Sequence, residues 1–217
     1  MTFVYNPPLT PYLPILYQDQ DMVVFNKPSG LLSVKGKLPE HWDSVELRAA
    51  RVWPKIGVVH RLDMATSGLM VWALHKEAHG KLARQFQDRV TKKTYIARIY
   101  GKVAAEQGLI ELPLICDWPN RPKQMVEFNR GKPSTTYWQV ESYEENATRV
   151  KLFPITGRSH QLRVHMLKLG HPILGDRLYA HENALAMANR LQLHAETLFL
   201  YHPMTGEPMN FTAPCPF

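Results

Sequence analysis

The stretch His60-Arg61-Leu62-Asp63-Met64-Ala65-Thr66-Ser67-Gly68-Leu69 sets one acid between a basic dipeptide and a small-residue turn, and an apolar run from Leu69 to Leu74 follows at once. The run reads as a buried strand. Asp63 therefore sits at a loop mouth held by rigid structure, the kind of place where a reactive carboxylate is presented. Taken alone, the same acid also reads as a turn or helix cap, because Asp readily accepts backbone N–H bonds and Ser67-Gly68 is turn-like.

Working outward, Ile15–Tyr17 and Met22–Phe25 are β-rich runs around the polar Gln18-Asp19-Gln20-Asp21, which predicts a hairpin ending in the turn Asn26-Lys27-Pro28-Ser29-Gly30. Ser44 to Ala50 is weakly helical. Lys76 to Asp88 is a stronger helix, since Ala78, Leu82 and Phe86 recur at four-residue spacing. Thr94 to Tyr100 has the β-branched and aromatic composition of a strand. Tyr137–Tyr143 and Arg149–Phe153 predict a second hairpin, with Trp138 and Val140 placed to pair with Val150 and Leu152. A helix is expected from Ser159 to Leu169, stopped by Gly170, and Leu191–Tyr201 and Met209–Thr212 close the chain as strands. Strands outnumber helices and arrive as hairpins, which predicts an α+β fold with a central mixed, mainly antiparallel sheet flanked by helices.

The 217 residues carry no long linker, so one domain over 15–217 is expected, preceded by a proline-rich extended arm over 1–14. That arm lacks the basic and apolar regions of a signal peptide, and no apolar run approaches the roughly 18 residues of a membrane span. The expectation is a cytoplasmic protein with no membrane partner. Two cysteines, Cys116 and Cys215, form neither a C-x-x-C nor a zinc cage. A formal net charge of +7 favours a polyanionic partner, nucleic acid first, because basic side chains gain affinity by displacing condensed counterions. Basic residues gather at Arg84, Arg89, Lys92 and Lys93 and again at Arg121, Lys123, Arg130 and Lys132. Trp118 among the second group, on a loop stiffened by Pro119 and Pro122, offers an RNA contact or simply anchors a solvated loop.

Two further segments bear on Asp63. In Lys92-Lys93-Thr94-Tyr95-Ile96-Ala97 an aromatic follows a basic pair, and Gly157-Arg158-Ser159-His160-Gln161-Leu162-Arg163-Val164-His165 crowds polar groups into a helix entry. An extruded nucleobase needs a flat surface to stack on, which Tyr95 can supply, and an arginine such as Arg163 keeps a nearby buried carboxylate ionised. The plainer readings are a cross-strand packing tyrosine and a surface ion pair. Arg158 suits a phosphate. His160 and His165 are wrongly spaced to share a metal, and His75 and His79 lack a correctly placed glutamate, so no metal site is expected. Dinucleotide, P-loop and nucleophile-elbow signatures are absent.

Together, His60-Arg61-Leu62-Asp63 with Thr66-Ser67-Gly68, Lys93-Thr94-Tyr95-Ile96-Ala97 and Gly157–His165 resemble the three motifs of the RluA family of RNA pseudouridine synthases. Asn26–Leu31, His171-Pro172-Ile173-Leu174-Gly175-Asp176 and Leu193-His194-Ala195 are similar to other landmarks of that family, so the likeness runs from about Ile15 to the C-terminus. It implies a pseudouridine synthase fold with an active-site cleft across the sheet, and no separate N-terminal RNA-binding domain. By the resemblance, Asp63 is the nucleophile, Tyr95 stacks on the base and assists deprotonation, and Arg163 pairs with Asp63. Arg61 fills the place vacated by the flipped nucleotide, with His60, Arg158, His160 and Gln161 as further substrate contacts. No cofactor is implied, since product and substrate are isomers. The expected partners are a tRNA anticodon stem-loop and a 23S rRNA hairpin, bound by a monomer. The rival readings are a relative acting on one RNA and a binding module without catalysis, which would have no use for a carboxylate facing a polyanion.

Overall fold

The computed structural model describes residues 4–217. Its strands are β1 (Ile15–Gln18), β2 (Met22–Lys27), β3 (Ser67–Ala73), β4 (Lys92–Tyr100), β5 (Gln107–Glu111), β6 (Leu114–Cys116), β7 (Gln124–Val126), β8 (Thr135–Tyr143), β9 (Ala147–Pro154), β10 (Leu193–Tyr201) and β11 (Pro208–Thr212). The helices are α1 (Val45–Ala50), α2 (Lys76–Gln87), α3 (Gln161–Lys168) and α4 (Glu182–Ala186). The class is α+β, with a mixed, mostly antiparallel sheet and few helices. Two compact units divide the chain: residues up to Lys92 with Ala195–Cys215, and Lys93–His194 with Pro216–Phe217.

In the first unit the strand order is β1-β2-β3-β10, with β11 paired to β10. β2 and β3 are antiparallel, Met22 opposite Ala73 and Lys27 opposite Gly68. Their near-continuous apolar sequence follows from having both faces covered. On one face Met22, Val24, Leu69, Val71 and Ala73 pack with Leu198 and Leu200 and with Ala78 and Leu82 of α2. On the other, Phe25 meets the rings of Trp53 and Trp72. The α2 stripe is thus the expected one, and its first turn is capped by His75, whose Nδ1 accepts the Ala78 N–H. Ser44 caps α1 in the same way through the Leu47 N–H.

Residues 4–14 of the N-terminal arm form no helix or strand, and residues 1–3 lie outside those described. Arg48 of α1 fastens it. Its guanidinium forms a fork with Asp43, at 2.7 and 2.6 Å, and donates to the carbonyls of Pro8 and Tyr12. The same guanidinium holds Asp43's carboxyl below the usual carboxylate range. Tyr5 completes the attachment, its hydroxyl donating to Asp43 O and accepting from Leu32 N.

The second unit carries the order β4-β9-β8-β5, each pair antiparallel. Trp138 faces Leu152 and Val140 faces Val150, the cross-strand pairs expected from sequence. Helix α3 starts at Gln161, later than expected, because His160 adopts a left-handed backbone with φ 53° and cannot belong to the helix. Gln161 to Met166 are all buried, so this part of α3 turns no side to solvent and shows no amphipathic stripe. Gly170, at φ 92°, ends it as expected, with His171 N–H returning to Met166 O at 3.0 Å.

β5 and the small β6–β7 hairpin were not anticipated. β5 contains Gly108, where a Cβ would come within 2.8 Å of the Trp138 indole nitrogen, so this edge strand lacks the β-rich composition that announces a strand. β6 and β7 each span three residues, and the prolines between them masked the pairing.

Candidate active site

Asp63 belongs to the first unit, on the loop between Val59 and β3. The loop is anchored on both sides of the acid. Ser33 clasps Leu62, its hydroxyl donating to Leu62 O at 2.5 Å and accepting from Leu62 N at 3.1 Å, and the Leu62 side chain is buried. Beyond the acid, Met64 O accepts from Gly30 N at 2.8 Å and from Lys27 Nζ at 2.9 Å, while Ser29 Oγ donates to Ala65 O at 2.7 Å. Thr66 N closes a turn onto Asp63 O at 3.1 Å. The turn that follows β2 and the Asp63 loop therefore lie side by side because Lys27 and Gly68 are register partners.

Lys27 is fully buried, with Nζ donating to the carbonyls of Pro28, Leu31 and Met64. Three carbonyls match the three hydrogens of an ammonium. Gly68 has φ 114°, and a Cβ there would lie 2.2 Å from Ala195 O, so only glycine lets β3 approach β10 this closely. Between these anchors Asp63 is half-buried and Arg61 exposed. His60 supports the loop from behind: Nε2 accepts from Val71 N, its carbonyl accepts from the Trp72 indole, and its ring stacks on Phe86 at 4.5 Å.

The second unit holds Tyr95 and the α3 residues. Tyr95 is half-buried on β4 opposite Leu152. Lys93, two residues earlier on the same face, has its ammonium pushed below the usual lysine range by burial. Arg163 and Asp176 form a buried fork, Nε to Oδ2 at 2.8 Å and Nη2 to Oδ1 at 2.7 Å. This pair was missed. In sequence Asp176 stands only as the last residue of the His171–Asp176 landmark, 13 residues from the arginine.

Gln161, expected among the substrate contacts, is an anchor in the structure. Its oxygen accepts from Thr156 Oγ1 and Arg158 N, and its amide donates to Thr135 O and Thr136 Oγ1. These bonds fix the Thr156–His160 entry to β8. Arg158 is exposed, with Nε on Pro133 O at 3.3 Å. His160 is half-buried, and its Nδ1 meets the Tyr179 hydroxyl at 2.7 Å.

Among the described residues, Asp19, Asp21 and His202 bring ligand-type atoms within 4.8 Å of one another. Hydrogen bonds account for the group. His202 Nδ1 accepts from Met204 N and Thr205 N, so Nε2 carries the proton and donates to Asp19 Oδ2 at 2.8 Å. A hydrogen, not a lone pair, thus faces the acids, the wrong polarity for sharing a cation. His75 bonds the other carboxylate, Asp21, at 2.8 Å.

Residues 21–168 match the family model described as RNA pseudouridylate synthase. The chain belongs to that family. It is 59% identical over 214 residues to the dual-specificity RNA pseudouridine synthase RluA of Escherichia coli (strain K12), covering 98% of each chain. It is 54% identical over 218 residues to the protein of the same name from Vibrio parahaemolyticus, covering 98% of this chain and 87% of that one. Among solved structures it is similar to human RNA pseudouridylate synthase domain containing 1, with a TM-score of 0.80, 30% identity and coverage of 98% of this chain and 87% of that one. The human domain containing 4 protein gives a TM-score of 0.74 at 28% identity, covering 94% and 88%. As an RNA pseudouridylate synthase the chain is an isomerase that converts uridine to pseudouridine in RNA. No helix among the described residues is long and apolar enough to cross a membrane.

Proposed function

We propose that this synthase modifies two RNA classes, a uridine in a tRNA anticodon loop and one in a 23S rRNA hairpin loop, as a cytoplasmic monomer that needs no cofactor. The dual-specificity name of relatives sharing 59% of its residues supports two substrates. The observation that carries the catalytic reading is the Asp63 loop itself, a half-buried acid whose two neighbours in sequence are each fastened to the stretch from Lys27 to Ser33. Such anchoring pre-organises a nucleophile.

In the proposed reaction Asp63 drives cleavage of the uridine N1–C1′ bond, the uracil turns while held against the Tyr95 ring, and C5 bonds to C1′. The proton displaced from C5 leaves through the Tyr95 hydroxyl, and N1 gains a proton, so the product is an isomer of the substrate. Arg163 is the cationic partner proposed for Asp63 in the reaction. Arg61 and His60 beside the acid, and Arg158 and His160 at the α3 entry, contact RNA, with Gln161 holding that entry in place. Extruding a nucleotide costs a few kcal/mol, least in an unpaired loop, and stacking returns about 1 to 3 kcal/mol per base. Loops are accordingly the favoured substrates.

The test is tritium release from RNA carrying 5-tritiated uridine. Wild-type chain releases tritium and Asp63→Asn does not, while RNA binding survives; equal release by the two would reject the nucleophile. Modification mapping of total RNA from a deletion strain decides the substrate range. Simultaneous loss at tRNA and ribosomal sites supports two classes, and loss at one class alone leaves a single-substrate enzyme.

A further inference from the structure

Tyr179 stands where three segments of the second unit meet. Its hydroxyl accepts the backbone N–H of Gln124 in β7 at 2.7 Å and lies 2.7 Å from Nδ1 of His160. The oxygen takes the Gln124 hydrogen, so the phenolic proton is available to His160 Nδ1. The face of its ring lies under the Arg163 guanidinium, 5.1 Å from Cζ to centroid, within cation–π range. Asp176, which grips Arg163, also accepts from Leu178 N at 3.0 Å, and its carbonyl accepts from Ala180 N at 3.0 Å, a tight turn that sets the Tyr179 backbone.

The two things Tyr179 touches have different uses. Gln124 is the first residue of β7, paired with Cys116, and it closes the hairpin below a tip that carries Trp118 and Arg121. Trp118 is 64% exposed, and the Arg121 guanidinium stacks 4.4 Å over its ring. An exposed indole with a cation on its face is a platform for an unpaired base. His160, on the other side of the hydroxyl, is held in a left-handed conformation unfavourable to a side-chain-bearing residue, as expected where surrounding contacts over-determine the backbone.

We propose that Tyr179 is a positioning residue that sets the β6–β7 hairpin tip and the Arg163 guanidinium together, so that RNA flanking the target uridine, read by Trp118 and Arg121, is coupled to placement of the arginine. The proposal rests on the RNA-modifying reading above and names a recognition surface within it. The hydroxyl acts on the hairpin and the ring acts on Arg163. The two contributions are separable.

The experiment is steady-state tritium release from a tRNA anticodon stem-loop, with wild type, Tyr179→Phe, Trp118→Ala, the double variant and Tyr179→Leu. Tyr179→Phe is expected to raise KM about tenfold with kcat changed less than about twofold, the order expected for losing two neutral hydrogen bonds. In the Trp118→Ala background the same change should add less than about twofold to KM, because the platform it positions is gone. Tyr179→Leu should also lower kcat by about tenfold, through loss of the surface under Arg163. Hydrogen exchange at the Gln124 amide should quicken in Tyr179→Phe, a readout independent of turnover. A wild-type KM in Tyr179→Phe, or KM penalties that multiply fully in the double variant, would overturn the hairpin role. An unchanged kcat in Tyr179→Leu would overturn the arginine role. Absence of tritium release from wild type instead overturns the assigned reaction, so the two failures are distinct.

Discussion

Arg163 and Asp176 hold each other through two parallel hydrogen bonds of 2.8 and 2.7 Å, with side chains only 5% and 1% exposed. A guanidinium so gripped has its plane and position fixed before any substrate arrives. Breaking a buried pair from one side leaves an uncompensated charge, typically at a cost of about 3 to 5 kcal/mol. Asp176→Asn is therefore expected to lower the unfolding free energy by that order, with the urea midpoint falling accordingly, and Arg163→Lys, which keeps charge but loses the fork, to reduce turnover at least about tenfold. A midpoint unmoved in Asp176→Asn would show the pair to be dispensable for the fold.

Tyr95→Phe keeps the ring and deletes the hydroxyl. RNA affinity should stay within a few fold while kcat falls by about 10²- to 10⁴-fold, the range for removing a proton-transferring group. Filter binding and tritium release on one RNA separate the two effects. Full turnover would remove Tyr95 from proton transfer.

Lys27 is expected to matter to the Asp63 loop although it is wholly interior. Lys27→Met fills similar space and takes away the donor to the Pro28 and Leu31 carbonyls, while Met64 O keeps the Gly30 N–H, which predicts a loss of at least about 2 kcal/mol in denaturant unfolding. Lys27→Arg, whose planar fork cannot meet three carbonyls arranged for an ammonium, should not restore it.

His165 gives the fold an acid sensitivity in a defined window. It is fully buried between Thr136 Oγ1 and Leu112 O, and desolvation lowers its pKa below 6.5. The unfolded chain then binds a proton at this site that the native chain resists, so stability falls as pH drops below about 6.5 towards the lowered native value. The carboxylates of Asp19, Asp43 and Glu141, themselves held below their ordinary range, lose their contributions only at more acidic pH. Urea unfolding between pH 7.5 and 5 should show a shallower decline in His165→Gln; an identical slope would exclude His165 as its source.

Legibility in the sequence tracked the length and periodicity of each element. The hairpins of β1–β2 and β8–β9, the stripe of α2 and the Gly170 stop were readable because each rests on contacts close in sequence. The start of α3 was misplaced because a left-handed His160 has no local signature, and β6–β7 was hidden by being three residues a side. Motif resemblance singles out Asp63, Tyr95 and Arg163, the residues to which the proposed function assigns the chemistry. The residues that hold the site parts in place, Lys27, Ser33, Asp176 and Tyr179, engage partners through backbone carbonyls or across long sequence separations, and neither leaves a mark in composition or spacing.

The fastening of the N-terminal arm reaches further than its irregular path implies. Tyr5 holds Leu32, Ser33 is the next residue, and Ser33 clasps the neighbour of Asp63. A protease that nibbled this tail back past Tyr12 would strip Arg48 of two carbonyl acceptors and Leu32 of its phenol, loosening the cradle that holds Asp63. The stretch from Tyr5 to Tyr12 thereby serves as a drawstring on the Asp63 carboxylate.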